Sequence, residues 1–486
     1  MLPKPTRRTA LKGAAAAAVV VGFDPVGRAW AVRGSSGPFD EVPPLDGTLL
    51  TDDASLDAAA DDYGHIVHRR PAAVLRPGSV DDVVAMVRYC RKRDISVAPR
   101  GQGHATFGQA QVKGGLVIDT ATLDHIGAVK NGRVTAGAGV RWSTLAQATL
   151  EHGLTPPVFT DYLELSVGGT LSVGGIGGQT HQYGAQVDTV TELQVVTGAG
   201  EFVRCSRQRH RELFDAVRAG LGQCAIVVGA TLRLVTAPER VRHYLLPYDD
   251  LHTFLEDQRR LVEDRRFAYV EGQVQADDTG AFRVYVLEAT AYGPPAGPEP
   301  DDEVLLSGLR HDPSGVTAED LDYYAFIDRL GPVVEQLKEA GLWDYSHPWL
   351  NLLLPGDEAE RLAGNILAGL TPADVGPAGV VLIYPLQREE LCTPLLRMPH
   401  DPVPYLLAVL RTCPPEDQET IDRLLAANRV AYEDARDCGG KQYPVGSIPF
   451  DRADWRDHFG ALWPFLRSAR HRYDPDGILV PGQGIF

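Results

Sequence analysis

The chain has 486 residues, of which 44% are hydrophobic and 23% charged, and its formal net charge is −17. This length exceeds what one hydrophobic core usually organises, so we expect two domains. The negative charge repels phosphate backbones and anionic membrane surfaces, which argues against nucleic acid as a partner. After the N-terminal segment no run reaches about 20 apolar residues, so the sequence predicts no membrane span.

Residues 1–31 have the plan of a secretory signal peptide. The segment Thr6-Arg7-Arg8-Thr9 precedes an uncharged, mostly apolar run from Gly13 to Phe23, and Ala29-Trp30-Ala31 supplies a small-x-small cleavage site. The paired arginines favour twin-arginine export, which carries folded proteins and suits a chain that loads its cofactor first. We therefore predict a secreted, extracytoplasmic protein; the alternative is an untargeted N-terminus.

The first half of the chain predicts strands and helices in alternation. Residues 32–56 are interpreted as a flexible lead-in, with ordered structure starting near Asp57. Periodicity then predicts strands at 71–75, 95–98, 116–118, 134–140 and 226–235, and a hairpin of 190–197 and 201–205. It predicts helices over 80–90, capped by Ser79, from Ser143 to about His152, and over 212–219.

The pattern changes after Pro238. Longer strands are predicted at 269–275 and 282–286, and helical stretches around 320–339, 355–370 and 416–435. The last segment, 455–486, is predicted to pack back onto an earlier part of the chain. We thus expect an α+β protein in which residues 57–237 and 445–486 form one domain and residues 238–444 form a second, inserted domain.

Six cysteines lie far apart in the sequence and form no Cys-x-x-Cys pair. Zinc-binding and thioredoxin-like sites therefore have no support, and no metal is predicted. An exported protein could pair some of these cysteines, but their spacing leaves the pairing open.

A histidine stands in the glycine-rich turn Pro99-Arg-Gly-Gln-Gly-His-Ala105, directly after a predicted strand. Such a turn combines close backbone approach to a ligand with a nucleophilic ring nitrogen. Two interpretations stay open at this point. His104 carries a covalently attached flavin, or it is a polar residue in a surface turn.

A second glycine-rich tract, residues 167–178, holds six glycines in twelve residues. This density indicates that another group needs the space, and a diphosphate lying against backbone N–H groups would fit. A flexible loop is the alternative, although Leu171 and Ile176 argue against a solvated linker. No Gly-x-Gly-x-x-Gly fingerprint between a strand and a helix and no Gly-Lys-Ser/Thr occurs, which argues against a nicotinamide-binding Rossmann site and a P-loop.

Two acidic residues are candidates for chemistry. Asp161, in Phe159-Thr-Asp-Tyr162, is either a turn former or a partly desolvated carboxylate that accepts a substrate proton. Glu271 interrupts the apolar strand Tyr269-Val-Glu-Gly272 and is either solvent-facing or a polar group of a pocket.

These segments together resemble the cytokinin dehydrogenases, which belong to the vanillyl-alcohol-oxidase-like FAD-dependent oxidoreductases with a PCMH-type FAD-binding domain. The resemblance extends from about residue 65 to the last residue. It is carried by the segments 101–110, 114–119, 160–172, 212–217, 220–223, 269–272, His347-Pro-Trp-Leu-Asn351, 455–460 and 473–486.

The resemblance implies a two-domain fold in which the inserted substrate domain has an antiparallel sheet flanked by helices. It implies FAD attached covalently through His104, with Asp161 as the catalytic aspartate, Glu271 as a second catalytic acid near the pocket entrance, and Trp349 as a wall of the substrate pocket. The residues implied to line the cofactor are Gly101, Gln102, Gly103, Ala105, Gln109, Asp161, Ser166, Ser172, Ile176, Val227 and Gln483.

The expected reaction is oxidation of the N6 side chain of isoprenoid adenines by hydride transfer to the flavin, with Asp161 accepting the N–H proton. Hydrolysis of the imine would give adenine and an aldehyde, and a quinone or oxygen would accept the electrons. Two alternatives remain: a related FAD-linked oxidase acting on an alcohol, a sugar or another amine, and a flavoprotein that binds a ligand without turnover.

Two departures from the family pattern concern the flavin site. Ala105 replaces the serine that follows the histidine in plant members, and residues 442–450 form a shorter segment without the flavin-facing aromatic residue. Residues 91–204 contain no cysteine, so we expect no second covalent link to the flavin.

Overall fold

The computed structural model describes the backbone of residues 19–24, 29–33, 38–293 and 301–486, and the side chains of the last two ranges. The chain divides into two units, residues 1–42 and residues 43–486. In the first unit, β1 (Val19–Asp24) and β2 (Ala29–Arg33) pair antiparallel. Arg7 and Arg8 lie outside the described residues, and export stays a prediction.

The second unit contains both strands and helices. Its strands are β3 (Thr48–Leu50), β4 (Ala73–Arg76), β5 (Val97–Arg100), β6 (Leu116–Asp119), β7 (Arg133–Gly137), β8 (Leu154–Thr155), β9 (Val190–Thr197), β10 (Phe202–Ser206), β11 (Ala225–Arg233), β12 (Val235–Thr236), β13 (Arg240–Tyr248), β14 (Tyr269–Ala276), β15 (Phe282–Tyr292), β16 (Thr317–Asp322), β17 (Leu350–Leu354), β18 (Val380–Pro385), β19 (Tyr405–Leu410) and β20 (Lys441–Gln442). The α-helices are α1 (Asp53–Ala59), α2 (Val80–Arg91), α3 (Trp142–Leu150), α4 (Val167–Val173), α5 (Thr180–Tyr183), α6 (Arg211–Val217), α7 (Leu251–Asp264), α8 (Asp302–Leu305), α9 (Tyr323–Ile327), α10 (Gly331–Glu339), α11 (Ala359–Ala368), α12 (Pro372–Val375), α13 (Gln418–Asp437), α14 (Arg452–Phe459) and α15 (Trp463–Tyr473).

The strands form three main sheets. The first has the order β3-β4-β6-β5, with β4 and β5 parallel to β6 and connected through α2. The second, β10-β9-β11-β7, is antiparallel. The third has eight antiparallel strands in the order β16-β13-β15-β14-β18-β19-β17-β20. The predicted α+β class is therefore confirmed.

Helix α2 shows how the sequence determines one of the local structures. Ser79 caps its first turn by accepting a hydrogen bond from the backbone of Asp82, as predicted. The Asp82 carboxylate in turn accepts hydrogen bonds from the backbone N–H groups of Asp46, Gly47 and Gly78. This anchored backbone shows that the predicted flexible lead-in is wrong at its C-terminal end, because β3 and α1 are ordered before Asp57.

Two other predicted elements need correction. Helix α3 begins at Trp142, one residue before the predicted cap Ser143, and Arg141 at the N-cap position makes no side-chain capping bond. The buried Trp142 indole, which donates to Oγ1 of Thr170, anchors this first turn. The predicted helix over 320–339 is wrong at its start, because residues 317–322 form β16, which gains its hydrogen bonds by pairing with β13.

The C-terminal segment returns to the first sheet. The backbone of Val97 on β5 donates to Ile478 and accepts from Val480, at 2.8 Å in each case. The segment therefore lies directly beside the strand that leads into the histidine turn.

Two observations bear on the cysteines and on the membrane. All six cysteines fall within the described residues, and each is unpaired. Among the residues described, no helix combines the length and the apolar character needed to cross a bilayer.

Candidate functional site

The histidine loop, residues 101–105, follows β5 and is held through its carbonyl groups. The backbone N–H groups of Tyr63 and Gly64 donate to the carbonyls of Gly103 and Ala105, at 2.8 and 3.1 Å. Gly103 has φ +69°, and a Cβ there would clash with the guanidinium of Arg100, so this position requires glycine. The result is a loop whose backbone is fixed on one side only.

The N–H groups of this loop are left free by the protein. Among the hydrogen bonds of the described residues, none is donated by the backbone N–H groups of residues 101–105. Five successive free N–H groups in a tight loop form an anion-binding concavity. The loop also lies against the start of α4, where a Cβ on Gly101 would clash with Oγ of Ser166.

The His104 ring lies in an aromatic cluster. It stacks on Tyr63 with 4.0 Å between ring centroids, and the rings of Tyr162 and Trp349 lie 5.1 and 5.8 Å away. Burial, and then the nearby His347, lowers the pKa of His104 to about 3. The imidazole is therefore neutral at physiological pH and keeps the lone pair that a nucleophile needs.

A cavity of about 580 Å³ opens beside His104. Gln102 and Gly103 line it from the histidine loop. On the other sides its wall is partly aromatic and partly charged, and includes Tyr63, Tyr162, Trp343, Arg141, Glu335 and Lys338. The cavity gives a small molecule a route from solvent to the histidine.

The segment of residues 442–450, which departs from the family pattern, packs against the residues that follow the histidine loop and against His347. Ser447 is buried, and its Oγ contacts the carbonyls of Thr106 and His347 at 3.1 Å each. Gln109 connects the same segments by donating to the carbonyl of Gly446 at 3.2 Å. Tyr443 instead supplies an aromatic ring near the glycine tract, where its OH accepts a hydrogen bond from the backbone of Gly175 at 3.0 Å.

The glycine-rich tract is not a flexible loop, because its first part is helix α4. Several of its glycines are required by the protein's own packing. A Cβ on Gly168 would lie 2.7 Å from that of Ala138, and one on Gly177 would clash with the Phe159 carbonyl oxygen. Gly169, by contrast, is exposed and meets only Oγ of Ser166. The density of glycines is therefore explained in part by the protein's own packing, and only part of it is left for a ligand.

The remaining predicted cofactor residues lie on the surrounding elements. Ser172 donates to the Gly168 carbonyl at 2.8 Å, and Ile176 and Val227 are buried in the core that includes α4 and β11. Gln483 accepts a hydrogen bond at its carbonyl from the Trp455 indole at 3.0 Å.

Asp161, next to Tyr162 in the chain, belongs to a second group of side chains, which we call the carboxylate cluster: Asp161, Glu271, Glu288, Tyr269 and Arg329. Oδ1 of Asp161 accepts hydrogen bonds from the Tyr269 hydroxyl at 3.0 Å and from Nη2 of Arg329 at 3.1 Å. Arg329 also donates to the Tyr269 hydroxyl. Asp161 is therefore held by two donors.

The two glutamates of the cluster face each other. Glu271 on β14 pairs directly with Glu288 on β15, and the residues are only 2% and 4% exposed. Nε of Arg329 lies 2.8 Å from Oε1 of Glu288 in an ion pair, and among the described residues neither this oxygen nor Oε1 of Glu271 has a partner with hydrogen-bond geometry. Burial, and then the charge of Asp161, raises the pKa of Glu271 well above its usual range. Burial also raises the pKa of Glu288, but there the charge of Arg329 is the largest opposing effect.

Trp349 lies on the histidine side of the site. Its ring makes edge contacts with His104 and Tyr63, and its indole nitrogen is buried without a partner among the described residues. Trp349 thus contributes an unused donor beside the histidine.

Sequence reasoning missed Glu288 and Arg329. Glu288 carries the same signal as Glu271, an acid inside an apolar strand, and could have been found. Arg329 lies just after α9 in an unremarkable polar stretch, and only the fold brings it to the carboxylates. Tyr63, which stacks on His104, was likewise without a sequence signal.

The residues present fit an FAD group. The free N–H groups of the histidine loop and the exposed Gly169 suit a diphosphate, and His104 offers an unprotonated ring nitrogen beside them. Loop residues 101–105, with Ser166 and Gly169, would therefore hold the cofactor on this side of the site.

The chain matches two known domain families. Residues 71–206 match the FAD binding domain, and residues 278–486 match the family described as cytokinin dehydrogenase 1, FAD and cytokinin binding. The two matches cover both the histidine loop and the C-terminal return.

Similar proteins point the same way. The chain is 43% identical to an uncharacterized oxidoreductase, ORF5 in the fasciation locus of Rhodococcoides fascians, over 90% of this chain and 99% of that protein. It is 35% identical to cytokinin dehydrogenase 10 of Oryza sativa subsp. japonica, over 90% of this chain and 88% of the rice protein.

A solved structure, that of a variant of BBE-like 1 from Physcomitrella patens, shares the fold with a TM-score of 0.73 at 17% identity, covering 91% of this chain and 97% of that one. This likeness supports the PCMH-type flavoprotein fold implied by the sequence. The family matches and the cytokinin dehydrogenase relatives show that the chain belongs to the cytokinin dehydrogenase family of FAD-dependent oxidoreductases.

Proposed function

We propose that this enzyme oxidises the side-chain CH–NH unit of N6-isoprenoid adenines to an imine, which water then hydrolyses to adenine and an aldehyde. The observation that carries the proposal is Asp161, a carboxylate held by two donors and adjacent in the chain to Tyr162, whose ring lies 5.1 Å from that of His104. Named relatives of the chain are cytokinin dehydrogenases, which supports an adenine-type substrate.

Loss of two electrons from a CH–NH unit also requires that the N–H proton be accepted. FAD, when bound, takes up the electron pair of the C–H bond. Asp161 accepts the proton from nitrogen, and the hydrogen bonds to its Oδ1 leave Oδ2 available for that role. The carboxylate thereby orients the substrate nitrogen and neutralises its developing charge.

The surrounding side chains shield this step from part of the solvent, and the Asp161 side chain is 22% exposed. Tyr63, Trp343 and Trp349 enclose the histidine side, and Tyr269 and Tyr384 are buried beside the glutamates. A dry pocket strengthens the hydrogen bond between a carboxylate and a substrate N–H.

The substrate is tested by incubating the purified protein with isopentenyladenine and a quinone-like dye. We expect the flavin absorbance to bleach without dye and adenine to accumulate with it. Turnover of an alcohol, a sugar or another amine but not of isopentenyladenine would replace the proposed substrate. Absence of bleaching with all of these would favour ligand binding without turnover.

We further propose that FAD is bound covalently through a ring nitrogen of His104. The neutral, stacked imidazole and the five free N–H groups next to it support this link. The test is flavin fluorescence of the denatured protein band on a gel. A dark band from protein that was yellow before denaturation would exclude the covalent link.

The electron acceptor is proposed to be a quinone or oxygen. Reoxidation rates of the bleached enzyme, measured with a quinone under anaerobic conditions and with air, separate the two. Failure of both to restore the flavin absorbance would point to another acceptor class.

Export by the twin-arginine route is proposed from the pattern of residues 1–31. Replacement of Arg7 and Arg8 by lysines is expected to retain the protein in the cytoplasm. Unchanged export of that variant would contradict the route.

A further inference from the structure

We propose that Arg329 is a positioning residue that holds Asp161 and Glu288 as the ionised carboxylates of the cluster and leaves Glu271 as its protonated acid. This inference rests on the proposed role of Asp161 as the proton acceptor. It assigns a protonation state to each member of the cluster and a reason for it.

The strand register places the two glutamates of the cluster side by side. Glu271 and Glu288 are directly paired across β14 and β15, where side chains on one face lie about 5 Å apart. Both are nearly fully buried. Two negative charges so close in a buried position repel strongly, so the pair keeps one proton at neutral pH.

The position of the cation distinguishes the two glutamates. In the described part of the chain, Arg329 is the sole cationic side chain in direct contact with these carboxyl groups. It forms ion pairs with Asp161 at 3.1 Å and Glu288 at 2.8 Å, whereas Glu271 forms no ion pair among the described residues. The proton of the pair therefore resides on Glu271, the member away from the guanidinium.

The other groups around the cluster do not supply a competing charge. His243 on β13 lies 3.8 Å from Oε1 of Glu288, but burial, and then Arg329, lowers its pKa to about 4, so it is neutral. Tyr269 on β14 and Tyr384 on β18 have pKa values raised well above the usual tyrosine range by burial. Thr290 on β15 and Phe326 on α9 are uncharged.

Arg329 itself is fixed by its neighbours. Its guanidinium carbon lies 4.8 Å from the centre of the Tyr269 ring and 5.0 Å from that of Phe326. These cation–π contacts place the planar group so that two different nitrogens face the two carboxylates. A lysine could supply the charge but not both contacts at once.

Infrared spectroscopy tests the protonation state without substrate. We expect the carboxylic-acid C=O absorption of the flavin-loaded protein at pH 7 to decrease in Glu271→Gln and to increase in Arg329→Gln, where Glu288 also takes up a proton. An absorption that Glu271→Gln leaves unchanged would overturn the assignment. Because this readout needs no turnover, it stands apart from any failure of the proposed substrate.

Kinetics test the positioning role on the holoenzyme. For Arg329→Gln we expect kcat to fall about 10- to 100-fold with KM changed less, and the acid limb of the kcat/KM profile to move to higher pH, because the carboxylate cluster loses its cation. Arg329→Lys is expected to restore the limb while recovering only part of kcat.

The matched control is Arg242→Gln. Arg242 on β13 also bridges two acids, Asp302 of helix α8 at 2.6 Å and Asp320 of the edge strand β16 at 3.1 Å, but away from the carboxylate cluster. We expect its kinetics and pH profile to match the parent enzyme. If Arg329→Gln and Arg242→Gln have the same profile, Arg329 is not a positioning residue. If Arg329→Gln does not fold, the Glu271→Gln spectrum and the Arg329→Lys profile decide.

Discussion

The histidine loop is held through its backbone, whereas the carboxylate cluster is held through side chains. Around His104, glycine geometry and two hydrogen bonds to carbonyls fix the loop, and the ring itself makes only aromatic contacts among the described residues. Around Asp161, a tyrosine and an arginine fix the carboxylate. The first arrangement leaves donors and a lone pair free for a cofactor, and the second controls charge for a substrate.

This contrast predicts that the two regions can be disabled separately. His104→Ala is expected to abolish flavin fluorescence of the denatured band completely, because the attachment atom is lost, while leaving the carboxylate cluster intact. The measurement is in-gel fluorescence alongside circular dichroism as a check of folding. A folded His104→Ala protein that still fluoresces after denaturation would place the attachment elsewhere.

Asp161→Asn is expected to have the opposite profile. The amide keeps the shape but cannot accept the proton, so kcat should fall by about 10²- to 10⁴-fold. Flavin fluorescence of the denatured band should stay at the level of the parent enzyme. A kcat within about threefold of the parent would remove Asp161 from the chemistry.

The two regions also differ in how far the sequence predicts them. The histidine loop is local: a strand, glycines and a histidine in consecutive positions suffice to suggest it. Glu271 can also be found from the sequence, because it is an acidic residue inside an apolar strand. The pairing of Glu271 with Glu288, and the arrival of Arg329, depend on strand register and on a helix end much further along the chain. Strand β16 was missed for the same reason, because its charged sequence becomes a strand only through pairing with β13.

Asp62 is a buried acid near the histidine loop, and its pH dependence tests whether backbone hydrogen bonds determine its charge. Asp62 accepts hydrogen bonds from the N–H groups of Gly108 and Gly64, at 2.8 and 3.1 Å. Burial nevertheless raises its pKa to about 7. The folded state thus binds this proton more tightly than the unfolded state, so the contribution of Asp62 to stability is present below about pH 4 and is lost as the pH rises to about 7.

We therefore expect Asp62→Asn to gain stability relative to the parent as the pH rises from about 4 to about 7, by at most a few kcal/mol. Denaturant unfolding of both proteins at several pH values measures this difference. A constant difference over this range would mean that Asp62 is ionised throughout, held by its two backbone donors alone.

The smallest loss of unfolding free energy is expected for Arg242→Gln, because Arg242 bridges two acids outside the site. Arg242 is 23% exposed, and its partners Asp302 and Asp320 are 44% and 40% exposed. Solvent screens such pairs, so Arg242→Gln should cost less than about 1 kcal/mol of unfolding free energy, and less still at high salt.

The same motif around Arg329 is shielded by buried strands and aromatic rings, where charge acts over a lower local dielectric. Unfolding curves at low and high salt for the two glutamine variants measure this directly. If both variants lose the same amount of unfolding free energy and both losses depend on salt, burial gives Arg329 no special electrostatic role. The two arginines would then be equivalent structural bridges, and neither would set the charges of a site.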